Sequence, residues 1–175
     1  MGAFMIAALK LARTIAAAMT VSAVTLVLSA TAAPRDITMS ELYDFCRTPV
    51  FAEALRKAES FGWPRMSEAK LENWRASFLD YLGGPVEVSG WQRGEDGKSD
   101  ALSFWIAHGA NGHRACVYAT HDGRALERAL TETFGAPDMA EDSEISRSAI
   151  WTRDGAEISF MNVGTAAQVN ISSRP

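Results

Sequence analysis

Apolar residues recur at helical spacings of three and four through the first half of the chain, and from Val86 onward at every second position. Thr38-x-x-Glu41 has the form of a capping box, with the hydroxyl bonding the third helical amide and the carboxylate reaching back, and Leu42, Phe45 and Cys46 follow on one helical face. Thr48-Pro49 predicts the start of a second helix, since threonine caps well and proline suits the first position. Phe51, Leu55, Ala58 and Phe61 give it an inward stripe, and Gly62 can end it. A third helix is predicted from Ser67, with Leu71, Trp74, Phe78 and Leu82 on its stripe, until Gly83-Gly84-Pro85 stops it. Strands are then predicted over 86–93, 101–108 and 113–119. Asp122 caps a fourth helix carrying Ala125, Leu126, Ala129, Leu130 and Phe134, which Gly135-Ala-Pro137 ends. Three more strands are expected near 144–152, 156–163 and 166–172, the last two turns being short enough for hairpins.

Strands joined by hairpins pair antiparallel, and helices segregated from them along the chain define an α+β class. The expected architecture is N-terminal helices plus one further helix packed on one face of a mostly antiparallel sheet of about six strands. The last strand predicts that the other face is bare. Ala167, Val169 and Ile171 alternate with Gln168, Asn170 and Ser172, the pattern of a sheet covered on one side.

The region before the first helix changes the picture from folded domain to exported one. Lys10 and Arg13 precede an uncharged stretch from Thr14 to Pro34 with Ile15, Met19, Val21, Val24, Leu26, Val27 and Leu28 as its apolar centre, and Ala30-Thr31-Ala32 is an A-x-A cleavage signature. The expectation is a signal peptide, 1–32, followed by one domain, 33–175, with cleavage after Ala32 or Ala33. An uncleaved signal anchor is the alternative. Seven alanines and six Ser/Thr between Thr14 and Ala33 make the stretch only weakly hydrophobic for spanning, so no stable membrane insertion is expected after cleavage. No cysteine follows the apolar run and no Arg-Arg pair occurs in it, which argues against lipidation and the twin-arginine route.

Without residues 1–32 the chain carries 15 Lys/Arg against 21 Asp/Glu, a net of −6, and its basic residues are scattered apart from Arg56-Lys57. That charge pattern lacks the footprint of a nucleic-acid binder. Both cysteines, Cys46 and Cys116, fall in the mature part. In an oxidising compartment they are most simply one structural disulfide; neither lies in a C-x-x-C, and no histidine is close to Cys46 in sequence.

Candidate chemistry is sparse. His108 and His113 bracket Gly109–Gly112 and could face each other across a hairpin, but His121 is too far along the same strand to be a third ligand, so no metal site is expected. Trp91 and Trp105 each point away from an apolar row of their own strand, Val86/Val88 and Leu102/Phe104/Ile106 respectively. If both rows belong to one core, the two indoles lie together on the bare face as a binding platform; the competing expectation is that one or both cover the sheet edge or pack under helices. There is no G-x-S-x-G, P-loop, G-x-G-x-x-G or calcium loop, and Glu95-Asp96 and Glu141-Asp142 fall in predicted turns. No catalytic residue and no cofactor is therefore expected.

Cys46-Arg-Thr48, Phe61-Gly-Trp63, Trp74, and Cys116-Val-Tyr118 leading into a helix that ends Phe134-Gly-Ala-Pro137 form a spaced pattern over about residues 40–137. The pattern resembles small uncharacterised exported proteins of proteobacteria. The resemblance implies a Gram-negative periplasm and the Cys46–Cys116 bridge; it implies no activity at any position. The functional expectation is a non-catalytic periplasmic or secreted binding protein, such as an inhibitor, an immunity-type protein or an envelope accessory, whose partner is another periplasmic or envelope protein. A small cell-envelope hydrolase and, with an uncleaved signal, a membrane-tethered structural protein are the alternatives.

Overall fold

The computed structural model describes residues 36–82, 84–94, 98–109 and 111–174; the expected signal segment and its cleavage point lie outside the described residues. Helices α1 (Met39–Cys46), α2 (Phe51–Glu59) and α3 (Glu68–Leu82) precede strands β1 (Val86–Arg93), β2 (Asp100–Ala107) and β3 (His113–Thr120). Helix α4 (Gly123–Phe134) and strands β4 (Met139–Asp142), β5 (Ser146–Arg153), β6 (Ala156–Val163) and β7 (Ala166–Ser173) complete the α+β fold. The strands form one antiparallel sheet in the order β1-β2-β3-β7-β6-β5-β4.

Local chemistry accounts for most boundaries. At α1 the capping box is complete: the Glu41 amide donates to Thr38 Oγ1 at 3.2 Å and the Thr38 amide donates to Glu41 Oε2 at 2.9 Å. Asp122 caps α4 through the Ala125 amide, and Gly135, with φ of 79°, leaves the helix in a backbone conformation that favours glycine. The β5–β6 hairpin turns on Asp154-Gly155, both at positive φ, as a two-residue turn of the right twist requires. One expectation is corrected. Thr48 does not cap α2, whose cap position is Val50; the buried Thr48 hydroxyl instead donates to the Asp44 carbonyl and accepts from Lys57 Nζ. The sheet of about six strands is present with seven, the short β4 being the one whose four exposed residues after a proline carry no alternation to read.

Helices α1, α2 and α4 pack on one face of the sheet, the covered face, over Trp91, Leu102, Phe104, Cys116, Trp151, Ile158, Phe160, Val169 and Ile171. Cys46 and Cys116 are bonded, with Cα atoms 5.3 Å apart, so the end of α1 is stapled to the middle of β3 as expected. The far end of α4 is held by β5: Trp151 Nε1–H donates to the Gly135 carbonyl, and the Arg153 guanidinium donates to the carbonyls of Phe134 and Ala136 and pairs with Asp138. The Thr152 amide and then Arg153 hold the Asp138 carboxyl below its usual range.

Helix α3 departs from the one-sided arrangement. It lies against the reverse face at β1 and β2, where Phe78 packs with Val88, Trp105, Ala107 and Ala115, and Leu71 approaches Gly90. The segment before it protects the β1 edge, since the Met66 amide donates to the Gly90 carbonyl and the Gln92 amide donates to the Pro64 carbonyl. At the other edge β4 is short and carries Glu141 and Asp142.

Candidate functional site

The two tryptophans expected to share the bare face are on opposite faces. Register decides this: Trp91 stands across from Leu102, and Trp105 stands across from Val88. The row of Val86, Val88 and Gly90 therefore belongs with Trp105 under α3, while Trp91 joins the covered core beside Phe45, their ring centroids 5.8 Å apart. Trp91 is 3 % exposed and Trp105 is 6 % exposed, so neither is an open platform. The expectation assumed a single core for both apolar rows; at β1 and β2 there are two, one on each side. The Leu71-Trp74-Phe78 stripe of α3 was the signal available, because that stripe needs an apolar row of its own to cover.

The histidine pair separates for a related reason. Ala107, not His108, faces His113, so the connection is five residues and the two histidines fall on different sides. His108 Nε2 lies 3.1 Å from Glu87 Oε2, on the covered side of β1. His113 belongs to the reverse face, where its Nε2 accepts the Trp105 indole N–H at 3.1 Å and its Nδ1 contacts the Asn111 carbonyl at 3.2 Å. With Nε2 accepting, Nδ1 carries the proton and donates. His121 lies past the end of β3. Among the described residues no group of three or more His, Cys, Asp or Glu side chains is placed to hold a metal.

What the fold leaves presented is the reverse face from β7 to β4 and the part of β3 beyond Ala115, which α3 buries. Four cross-strand rows run over it. The central one reads Met139, Ile150, Ser159, Asn170, Val117, and the next reads Glu141, Ser148, Met161, Gln168, Ala119. Ala115, Ser172, Glu157 and Thr152 lie on one side of these, and Ala166, Val163 and Ser146 on the other. Apolar and uncharged polar side chains are about equally frequent, the charged ones are Glu141 and Glu157, and lysine and arginine do not occur at these strand positions. Large apolar side chains stand out among them: Met139 is 60 % exposed, Met161 48 %, Val163 49 %, and Ile145 in the adjoining turn 75 %. These residues are grouped on one surface rather than scattered over the molecule. The sequence pattern hides them because β6 carries apolar residues on both faces, Ile158 and Phe160 inward, Met161 and Val163 outward.

Several hollows adjoin this surface, one of about 270 Å³ opening on the face itself at Ala119, Met161, Val163 and Gln168. Between α3 and the sheet a groove of about 230 Å³ is lined by Trp74, Phe78, Ser103, Trp105 and Val117 and is almost wholly apolar. At the other end of β3 a polar recess of about 560 Å³ brings together His113, Glu157, Ser172, Ser173 and Arg174. Both ring nitrogens of His113 are engaged, so the histidine has no free lone pair to act as a base there. No family model, curated protein or solved structure matches this chain.

Proposed function

We propose that this chain is a non-catalytic periplasmic interaction protein, exported with loss of about its first 32 residues, that binds its partner through the reverse face of the sheet. The carrying observation is that face itself: an uncovered, charge-poor sheet surface from which Met139, Met161 and Val163 project. The buried Cys46–Cys116 bond suits an oxidising compartment, and no described helix is long and apolar enough to cross a membrane. The hydrolase alternative requires convergent groups free to exchange protons, and in the recess that offers a histidine beside a carboxylate, Trp105 and Asn111 already hold the ring.

The test is partner capture from periplasmic extract with mass spectrometry, comparing the parent with Asn170→Arg and Met161→Glu on the face and Glu132→Ala on the exposed side of α4. Loss of the same captured protein in both face variants, with retention in Glu132→Ala, is the expected result. Equal capture by all four proteins refutes the assignment of the surface.

A further inference from the structure

We infer that the occupant of the reverse face is a second copy of this chain, the two sheets packing face to face about a two-fold axis parallel to β6. The inference rests on the reading of that face as an interaction surface and names its partner. Helix α3 already fills the outer layer above β1 and β2 and overlaps β3 at Ala115 and the flank of Val117, which leaves the rest of β3 with β7, β6, β5 and β4 open and β6 near their centre. A two-fold axis along β6 therefore fits a copy into the vacant half-layer, each α3 abutting the partner's β4 edge. Rotation about an axis parallel to the strands keeps each cross-strand row over itself. The central row then sets Met139 of one protomer over Val117 of the other, at the mouth of the apolar groove formed with Trp74, Phe78 and Trp105. Ile150 falls over Asn170, and Met161 and Ser159 face their own counterparts. An isologous contact demands this kind of self-complementarity, a projecting side chain on one flank and a hollow on the other.

Charge and area support the same occupant. A chain of net −4, or −6 once residues 1–32 are lost, repels its copies, so self-association needs a surface cleared of charge, and this face carries only Glu141 and Glu157 at its strand positions. Glu157 lies on β6 on the same side as Ser159, so beside the axis it meets its own counterpart and opposes the contact. Five strands spaced about 4.8 Å apart and about 27 Å long give a flat footprint of roughly 600 Å². Side-chain relief and the flank of α3 raise the accessible area above that footprint, towards the roughly 800 Å² per partner of a stable interface.

The experiment is sedimentation equilibrium of the protein expressed from the full-length sequence and purified as processed by the host, across the micromolar range. The parent should sediment at twice the mass of one chain. Ser159→Arg, which sets two like charges against each other at the axis, should weaken the dimer by at least about tenfold. Glu157→Gln should tighten it, an outcome that general damage to the fold would not produce. Circular dichroism and melting establish that Ser159→Arg is folded; should it be unfolded, Asn170→Arg takes its place beside Glu157→Gln. A parent that is monomeric at every concentration overturns the inference, as does a dimer indifferent to Ser159→Arg and Glu157→Gln. If the parent is monomeric while face variants still lose a captured periplasmic protein, the proposed function stands and the second copy does not. If neither assembly nor capture responds to the face, both fail.

Discussion

Replacing Cys46 and Cys116 together by alanine tests how the helical layer is held to the sheet. The bond joins residues 70 apart, so its loss frees a loop of that length in the unfolded chain. On the chain-entropy account this costs about 4 kcal/mol at room temperature. Both side chains are buried in the covered core, so the lost sulfur contacts add to that figure rather than offset it. Domains of this size are stable by about 5–15 kcal/mol, which makes the bridge a large share of the total. Urea denaturation followed by far-ultraviolet circular dichroism reads the effect. With a slope of roughly 2 kcal/mol per molar, the midpoint should fall by about 2 M, and reductant should shift the parent protein similarly while leaving the double variant unmoved. A midpoint lowered by less than about 0.5 M would refute the loop-entropy reasoning, because the denatured chain would then be constrained already, or α1 would be held to β3 by packing alone.

Removing the acceptor for the Trp105 indole by His113→Phe should destabilise the fold by about 1–3 kcal/mol, whereas His113→Gln, which can still accept, should cost less; equal costs in denaturant melts would dismiss the hydrogen bond. The Asp138 carboxyl is held below its ordinary value by the Thr152 amide and Arg153, so its contribution is present above the usual aspartate range and is lost as pH falls through the lowered value. Thermal midpoints measured from pH 5 downward should therefore drop less steeply in Asp138→Asn than in the parent. Gly84→Ala should destabilise by at least about 1 kcal/mol, because an added Cβ would stand 2.2 Å from the His108 carbonyl oxygen; an unchanged melting point would show that the turn gives way freely. N-terminal sequencing of protein recovered from the periplasm should begin at Ala33 or within a residue or two of it, and a product retaining residues 1–20 would remove the cleaved signal from the proposal.

The sequence by itself determined what depends on neighbours along the chain. Thr38 and Glu41 specify a cap four residues long, Asp122 another, and Asp154-Gly155 a tight turn, all through contacts that close within a few residues. The alternation of β7 announced a covered and an uncovered side, since the strand repeat of two is a local property. Two cysteines leave a single pairing to form. What the sequence could not decide is which residue stands across from which, and on which side each helix lands. Trp91 and Trp105 occupy similar places in similar strands, and each alternates with an apolar row, yet the pairing of Val88 with Trp105 sends the two indoles to opposite faces. A shift of one residue in the β2–β3 connection likewise parts His108 from His113. The caps of α3 did not say which side it takes, and its stripe said only that an apolar row of its own must lie beneath it. Packing that stripe against Val88 and Trp105 gives both faces of β1 and β2 a core of their own, and leaves Met139, Met161 and Val163 on the surface that no described element covers.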